Sequence, residues 1–161
     1  HFRRVVPSPL PQRVIELDAI RLLVDNGVVV ICAGGGGIPT AHDKDKKLYG
    51  VEAVIDKDLA AALLSRELDA EMFVMLTDVA SVYTGFGTSK QRPVRAAHPD
   101  ALDGMNFAAG SMGPKIRGAC DFVRRTGHSS AIGKLSDLVD IMAGEAGTLI
   151  SMDVDGLVYG D

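Results

Sequence analysis

Val28-Val-Val-Ile-Cys-Ala33 is a continuous apolar run that leads straight into the glycines Gly34 to Gly37. β-Branched side chains are stiff about χ1 and fit a pleated, extended chain better than a helix. No polar residue interrupts the run, so a strand here needs cover on both faces, as in a parallel sheet flanked by helices. The glycines then fall at the carboxyl end of that strand, the edge where open α/β sheets take ligands.

The rest of the chain repeats this alternation. Gln12 to Asn26 carries Val14, Leu17, Ile20 and Val24 on one side and meets Gly27, which predicts an amphipathic helix. Val5 to Pro11 is proline-punctuated and reads as extended. Ala41 to Leu48 is a charged loop or short hairpin, its lysines and aspartates solvated. Asp56 is placed to cap a helix through about Leu68, and Met72 to Leu76 is a second buried-strand candidate ending in Thr77-Asp78. Thr84 to Asp103, with Gly85, Gly87 and Pro93, reads as mostly irregular. A helix from Ser111 to Arg125, a short strand near Ala131, a helix from Ser136 to Met142 and a strand at Thr148–Ser151 complete the pattern. Strands alternating with helices predict right-handed crossovers and a three-layer α/β/α sandwich with a mainly parallel sheet.

Bulk properties exclude several function classes. With 161 residues and 47% hydrophobic content the chain can bury a core. A formal charge of −4 and the absence of tryptophan argue against a nucleic-acid surface. No apolar run reaches the about 18 residues of a membrane span. Cys32 and Cys120 sit in apolar periodic contexts and read as buried free thiols in a reducing compartment, hence a cytoplasmic protein. The chain opens at His1 with residues that look like an extended segment already under way, which predicts a fragment of a longer polypeptide.

Three stretches could carry chemistry. Gly34–Gly37 is either a flexible turn or a backbone that something approaches closely; it is not a dinucleotide fingerprint, because Ile38-Pro39 and a charged loop follow instead of a helix. Asp56-Lys57-Asp58 opens a helix, where the carboxylates suit the dipole but Lys57 does not. That lysine needs an anionic partner, either its flanking carboxylates or a bound phosphate. Asn106-Phe-Ala-Ala-Gly-Ser-Met-Gly-Pro-Lys115 repeats the anomaly at a glycine-flanked helix start, where free amides and the dipole suit a phosphate. Its pattern is Gly-x-x-Gly-Pro-Lys, not a Walker A loop. Lysines at two helix starts could serve one phosphoryl group, with Asp58 holding them in place. Thr77-Asp78 ends a strand on the ligand-binding edge with Tyr83 just beyond; a turn-forming aspartate and a half-buried tyrosine are the bland alternatives. His42, His98 and His128 lack metal-ligand spacing and read as surface residues.

Taken with Arg4-Val-Val-Pro-Ser-Pro9, Gly50 to Asp58 and Leu76-Thr-Asp-Val79, these stretches resemble the amino-acid kinase superfamily, and within it the carbamate kinases, over nearly the whole chain. The resemblance implies a reversible, Mg-dependent phosphoryl transfer between ATP and carbamate. In the catabolic direction such enzymes make ATP from ADP and carbamoyl phosphate, as the last step of arginine fermentation. It implies that Lys57 meets the transferring phosphoryl group, that Asp58 organises the catalytic lysines, and that Lys115 meets the nucleotide phosphates. Met112, Gly113 and Pro114 would form the nucleotide loop, Asp78 and Tyr83 would line the nucleotide site, and Gly35, Gly36 and Gly37 would border the small-substrate pocket. No protein metal ligand is implied beyond the Mg that accompanies ATP or ADP. The match falls on the C-terminal half of the family, so 1–50 would be the edge of a substrate domain, 51–161 the nucleotide-binding domain, and the full-length protein a homodimer. Ala80-Ser81 depart from the Asp-Gly that usually follows Thr-Asp-Val. Two other readings remain: a kinase of the same fold acting on another acid, and a nucleotide-binding module without turnover.

Overall fold

The computed structural model describes residues 2, 4–108 and 110–160; His1 at the chain's opening and Ala109 within the glycine-flanked run lie outside them. The chain forms two compact units, His1–Leu68 and Asp69–Asp161.

In the first unit, α1 (Leu17–Asp25) starts later than the pattern predicts, and Val14 contributes only a carbonyl to Leu17 N at 3.4 Å. Ile20 is its buried residue. β1 (Thr40–His42) and β2 (Leu48–Gly50) make an antiparallel hairpin across the charged segment. The Asp43 carboxylate ties that turn by accepting from Asp45 N at 2.9 Å and Lys47 N at 2.8 Å. α2 (Lys57–Glu67) begins where expected and buries Ala60, Ala62, Leu63 and Leu64. The predicted strand at Val28–Ala33 does not form. Its residues carry no strand assignment, and Val29 and Ile31 are 92% and 99% exposed. Strand propensity cannot act alone, because a ladder needs a neighbour and none of the described segments pairs with this one. Cys32, expected buried, is accordingly only half-buried.

The second unit holds a six-stranded sheet: β3 (Met72–Thr77), β4 (Val82–Thr84), β5 (Arg92–Ala97), β6 (Ser129–Lys134), β7 (Thr148–Ile150) and β8 (Leu157–Tyr159). β3 pairs with β6 in parallel, as does β5 with β7, while β6–β7, β4–β5 and β5–β8 are antiparallel. β3, β6, β4 and β8 therefore run one way and β5 and β7 the other. Val94 pairs with both Val82 and Tyr159, and Ala96 with both Leu149 and Val158, so β8 has one edge of β5 while β4 and β7 share the other, end to end. Thr148, fully buried, clasps that junction: its hydroxyl donates to Val94 O at 2.5 Å and accepts from Val82 N at 2.8 Å.

β5, β4 and β8 and the short helix α3 (Pro99–Asp103) replace the irregular stretch expected around Thr84–Asp103 and extend the sheet past Ser151. Arg92-Pro-Val-Arg-Ala-Ala97 lacks the β-branched density of a buried strand, yet Val94 and Ala97 are fully buried. Pro93, which suggests a break, accepts through its carbonyl from Gly160 N at 3.0 Å. His98, expected on the surface, is half-buried and N-caps α3 by accepting from Asp100 N at 3.2 Å.

Helices cover both sheet faces. α4 (Met112–Thr126) buries Ile116, Ala119, Phe122 and Val123, with the Phe122 ring 5.5 Å from that of Phe73 and tilted 53° to it. Phe73 pairs with Ser130, so α4 lies on their face of the sheet. Gly133, three positions on, faces the other way. A Cβ there would lie 2.6 Å from Ile141 Cδ1 and 3.0 Å from Gly147 Cα, so α5 (Leu138–Met142) packs closely on β6 on that side. The α/β/α layering thus follows from residue parity along β6.

Candidate functional site

The candidate residues fall in both units, and each unit is described by itself. In the first, Asp56 has extended backbone and its carboxylate accepts from Asp58 N at 2.9 Å and Leu59 N at 3.1 Å. Two of the orphan amides of α2 are thereby satisfied. Lys57 follows as the first helical residue with its side chain exposed, and Asp58 is buried at 9%.

The glycine loop packs against this helix start. Gly36 is buried with φ +126°, and a Cβ on it would stand 2.1 Å from Ile55 O and 3.4 Å from Lys57 N. Its backbone occupies space no side chain could enter, which supports the close-approach reading of the glycines over the flexible turn. Gly35 and Gly37 are exposed, and a Cβ on either would have nothing within 4 Å, so they front the open side of the loop. The sequence motifs at Gly34–Gly37 and Asp56–Asp58 are thus neighbours.

In the second unit the candidates meet at the carboxyl end of β6. α4 packs on β6 and joins it through the short turn Gly127-His128, so the helix runs antiparallel to the strand. Met112, Gly113, Pro114 and Lys115 therefore lie at the strand's far end, level with Thr77 and Lys134, which are paired. Asp78 to Ser81 leaves β3 there and crosses the end of β6 to reach β4, so Asp78 and Tyr83 flank it on either side. Asp78 is exposed and accepts from the Thr77 hydroxyl at 3.1 Å. Tyr83 is half-buried, its ring 6.0 Å from that of Phe86.

One expectation changes. The start of α4 is not an open row of amide donors. Gly113 N donates to Ala108 O at 2.9 Å, Ser111 N donates to the same carbonyl at 3.2 Å, and Pro114 has no N–H. The Ser111 side chain makes no capping bond. An anion at this end would rely on the Lys115 ammonium and the helix dipole more than on backbone amides.

Among the described residues, no group of three His, Cys, Asp or Glu side chains could hold a metal ion. No helix among the described residues is long and apolar enough to cross a membrane. Cys120, buried on α4, has its thiol pushed from 9.0 up to about 11, first by burial and then by the carboxylates of Asp103 and Asp100, against an opposing effect of Arg124.

Comparison with known proteins gives a consistent family. The profile of the Amino acid kinase family matches residues 2–134. A carbamate kinase of Haemophilus influenzae is 49% identical over 158 residues, covering 98% of this chain and 51% of the relative. The structure of carbamate kinase from Giardia lamblia bound to AMP-PNP superposes with a TM-score of 0.89 at 42% identity, covering 92% of this chain and 53% of that one. UMP kinase from Bacillus anthracis shares the fold alone, with a TM-score of 0.61 at 19% identity. The chain spans about half the length of these two carbamate kinases.

Proposed function

Because this chain belongs to the amino acid kinase family, we propose that it is the nucleotide-binding part of a carbamate kinase, an enzyme that moves a phosphoryl group reversibly between ATP and carbamate. The observation that carries this reading is the gathering of Asp78, Tyr83 and Met112–Lys115 around the carboxyl end of β6. Strand ends of this kind are where α/β sheets hold nucleotides.

In this reading residues 51–161 serve the nucleotide and 1–50 border the acid substrate. Lys115 neutralises the nucleotide phosphates. Met112, Gly113 and Pro114 form the wall beside them, with Asp78 and Tyr83 opposite. Lys57 meets the transferring phosphoryl group, whose equatorial oxygens gather charge as the bond breaks, and Asp58 orients the lysine charge without acting as a base. Gly35, Gly36 and Gly37 border the small acid, where a buried glycine backbone leaves room for carbamate. Bound with ATP or ADP, Mg would add charge neutralisation at the phosphates. A cytoplasmic location and a homodimeric full-length protein belong to the same reading.

The test has two arms. Titration of the chain with ATP, with and without Mg, should give saturable binding that Lys115→Ala weakens. The polypeptide supplied with ADP, Mg and carbamoyl phosphate should form ATP, and Lys57→Ala and Lys115→Ala should each slow it by roughly 10²-fold. Unchanged rates in both variants would reject the assigned roles. A second reading, a nucleotide-binding module without turnover, draws on the half-length match. ATP binding with no product from a folded sample would favour it over the first.

A further inference from the structure

A cavity of about 360 Å³ lies between α3 and α4, running from Gly113 at the start of α4 to Arg124 near its end. Its floor is apolar and already shielded from bulk water: Leu102 is 1% exposed, Cys120 2% and Ile116 5%. Phe107 and Met105 close one side. It is a recess open to solvent on one side, and its size is within the range of small-molecule clefts, roughly 300–1,000 Å³.

The rim decides what it could hold. Asp103, Asp121, Arg117 and Arg124 all line it, but they are not equivalent. Asp103 accepts from Arg124 at 2.5 Å, and Arg124 also donates to Asp100 at 2.8 Å. Asp121 accepts from Arg125 at 2.7 Å. Both rim carboxylates are thus matched by a guanidinium of their own. Arg117 is exposed and makes no hydrogen bond or ion pair among the described residues. Among the described residues it is the rim guanidinium without a carboxylate partner, and a guanidinium binds carboxylates through a pre-organised fork.

We infer that this cavity is a binding site for a small amphiphilic monocarboxylate, its acid on Arg117 and its apolar tail among Leu102, Phe107, Ile116 and Cys120. The proposed ligand and its anchor, Arg117, are not part of the kinase reading, although the cavity shares the start of α4 with it. Its wall includes Gly113, two residues before Lys115, so occupancy would press on the start of the same helix.

The probe is phenylbutyrate, titrated into the full chain by calorimetry beside phenylbutanol and phenylbutylamine. Cys120 reports the location: its alkylation by N-ethylmaleimide is followed by peptide mass spectrometry, with half-buried Cys32 as internal reference. Phenylbutyrate should bind about tenfold more tightly than the alcohol, and the amine more weakly still. It should slow alkylation at Cys120 and leave Cys32 unaffected. Arg117→Gln should erase the advantage of the acid over the alcohol while leaving the thermal midpoint in place. Met105→Trp, which fills the mouth, should abolish protection of Cys120. The inference is overturned by no saturable binding at about 10 mM, a regime in which even weak sites fill. It is equally overturned if the alcohol or amine binds as tightly as the acid, or if Arg117→Gln changes nothing.

Discussion

Replacing Gly36 by alanine tests whether the glycine loop is held against the start of α2. The added Cβ would stand 2.1 Å from Ile55 O and 3.0 Å from Ile55 C, both backbone atoms that no rotamer change can move aside. Relieving the contact requires a backbone displacement on the order of 1 Å, and overpacking of this kind costs about 1–3 kcal/mol. The φ of +126° adds a conformational penalty of about 1–3 kcal/mol for any residue with a side chain. Together they predict a loss of about 2–6 kcal/mol in the first unit. The neighbours separate the two effects. Gly37 has φ +82° but nothing within 4 Å, so Gly37→Ala should lose only about 1–2 kcal/mol. Gly35 has neither problem, and Gly35→Ala should be neutral or gain up to about 1 kcal/mol through the unfolded state. With urea slopes of about 1–3 kcal/mol per M, the Gly36 variant should lower the denaturation midpoint by about 1 M or more. Hydrogen exchange at the first turn of α2 should rise with it. Equal midpoints for the Gly36 and Gly35 variants would refute the close packing of loop and helix, and with it the shared site.

Three further outcomes follow from the geometry. Asp56→Ala removes the acceptor for Asp58 N and Leu59 N and should cost about 1 kcal/mol, read as faster exchange in the first turn of α2, with Asp56→Asn recovering most of it. Thr148→Val strips the clasp between β4 and β5, removing the hydroxyl's bonds to Val82 N and Val94 O in a fully buried position; about 2–4 kcal/mol should be lost, measured by urea denaturation. The Cys120 thiol is raised to about 11 in the folded chain, so the fold favours its protonated form. That contribution is complete below pH about 9 and declines as pH rises toward about 11, by about 2–3 kcal/mol at most. Cys120→Ala should flatten this part of the stability–pH curve, and an identical decline in the variant would reject it.

Local chemistry was legible in the sequence where it acts over a few residues. The Asp56 cap, the start of α2 and the close of α4 at Gly127 all depend on neighbours along the chain, and each appears where expected. Pairing was less legible. β5 has little β-branched content and contains Pro93, yet it is central because β4, β7 and β8 all bond to it. Conversely Val28–Ala33 has every strand signal and no strand. Within the candidate site, residue identity pointed to Lys57 and Lys115, whereas the consumption of amides by Ala108 O is a backbone event with no sequence signature. Nor could spacing reveal that Gly36, rather than Gly35 or Gly37, is the glycine pressed against Ile55.

The naked Val28–Ala33 segment has a colloidal consequence. Val29 and Ile31 point outward together while Val30 and Cys32 are partly covered, so the outward side of an alternating chain is oil where water would favour a polar side. Sinking each of these side chains into an apolar neighbour is worth about 1.5–3 kcal/mol, and the segment's backbone still has hydrogen-bonding capacity to offer. A surface like this is adhesive along its length. The 161-residue chain handled alone would be driven toward its own kind as concentration rises, and whatever polypeptide lies down beside this segment acts as its solubiliser as well as its structural neighbour.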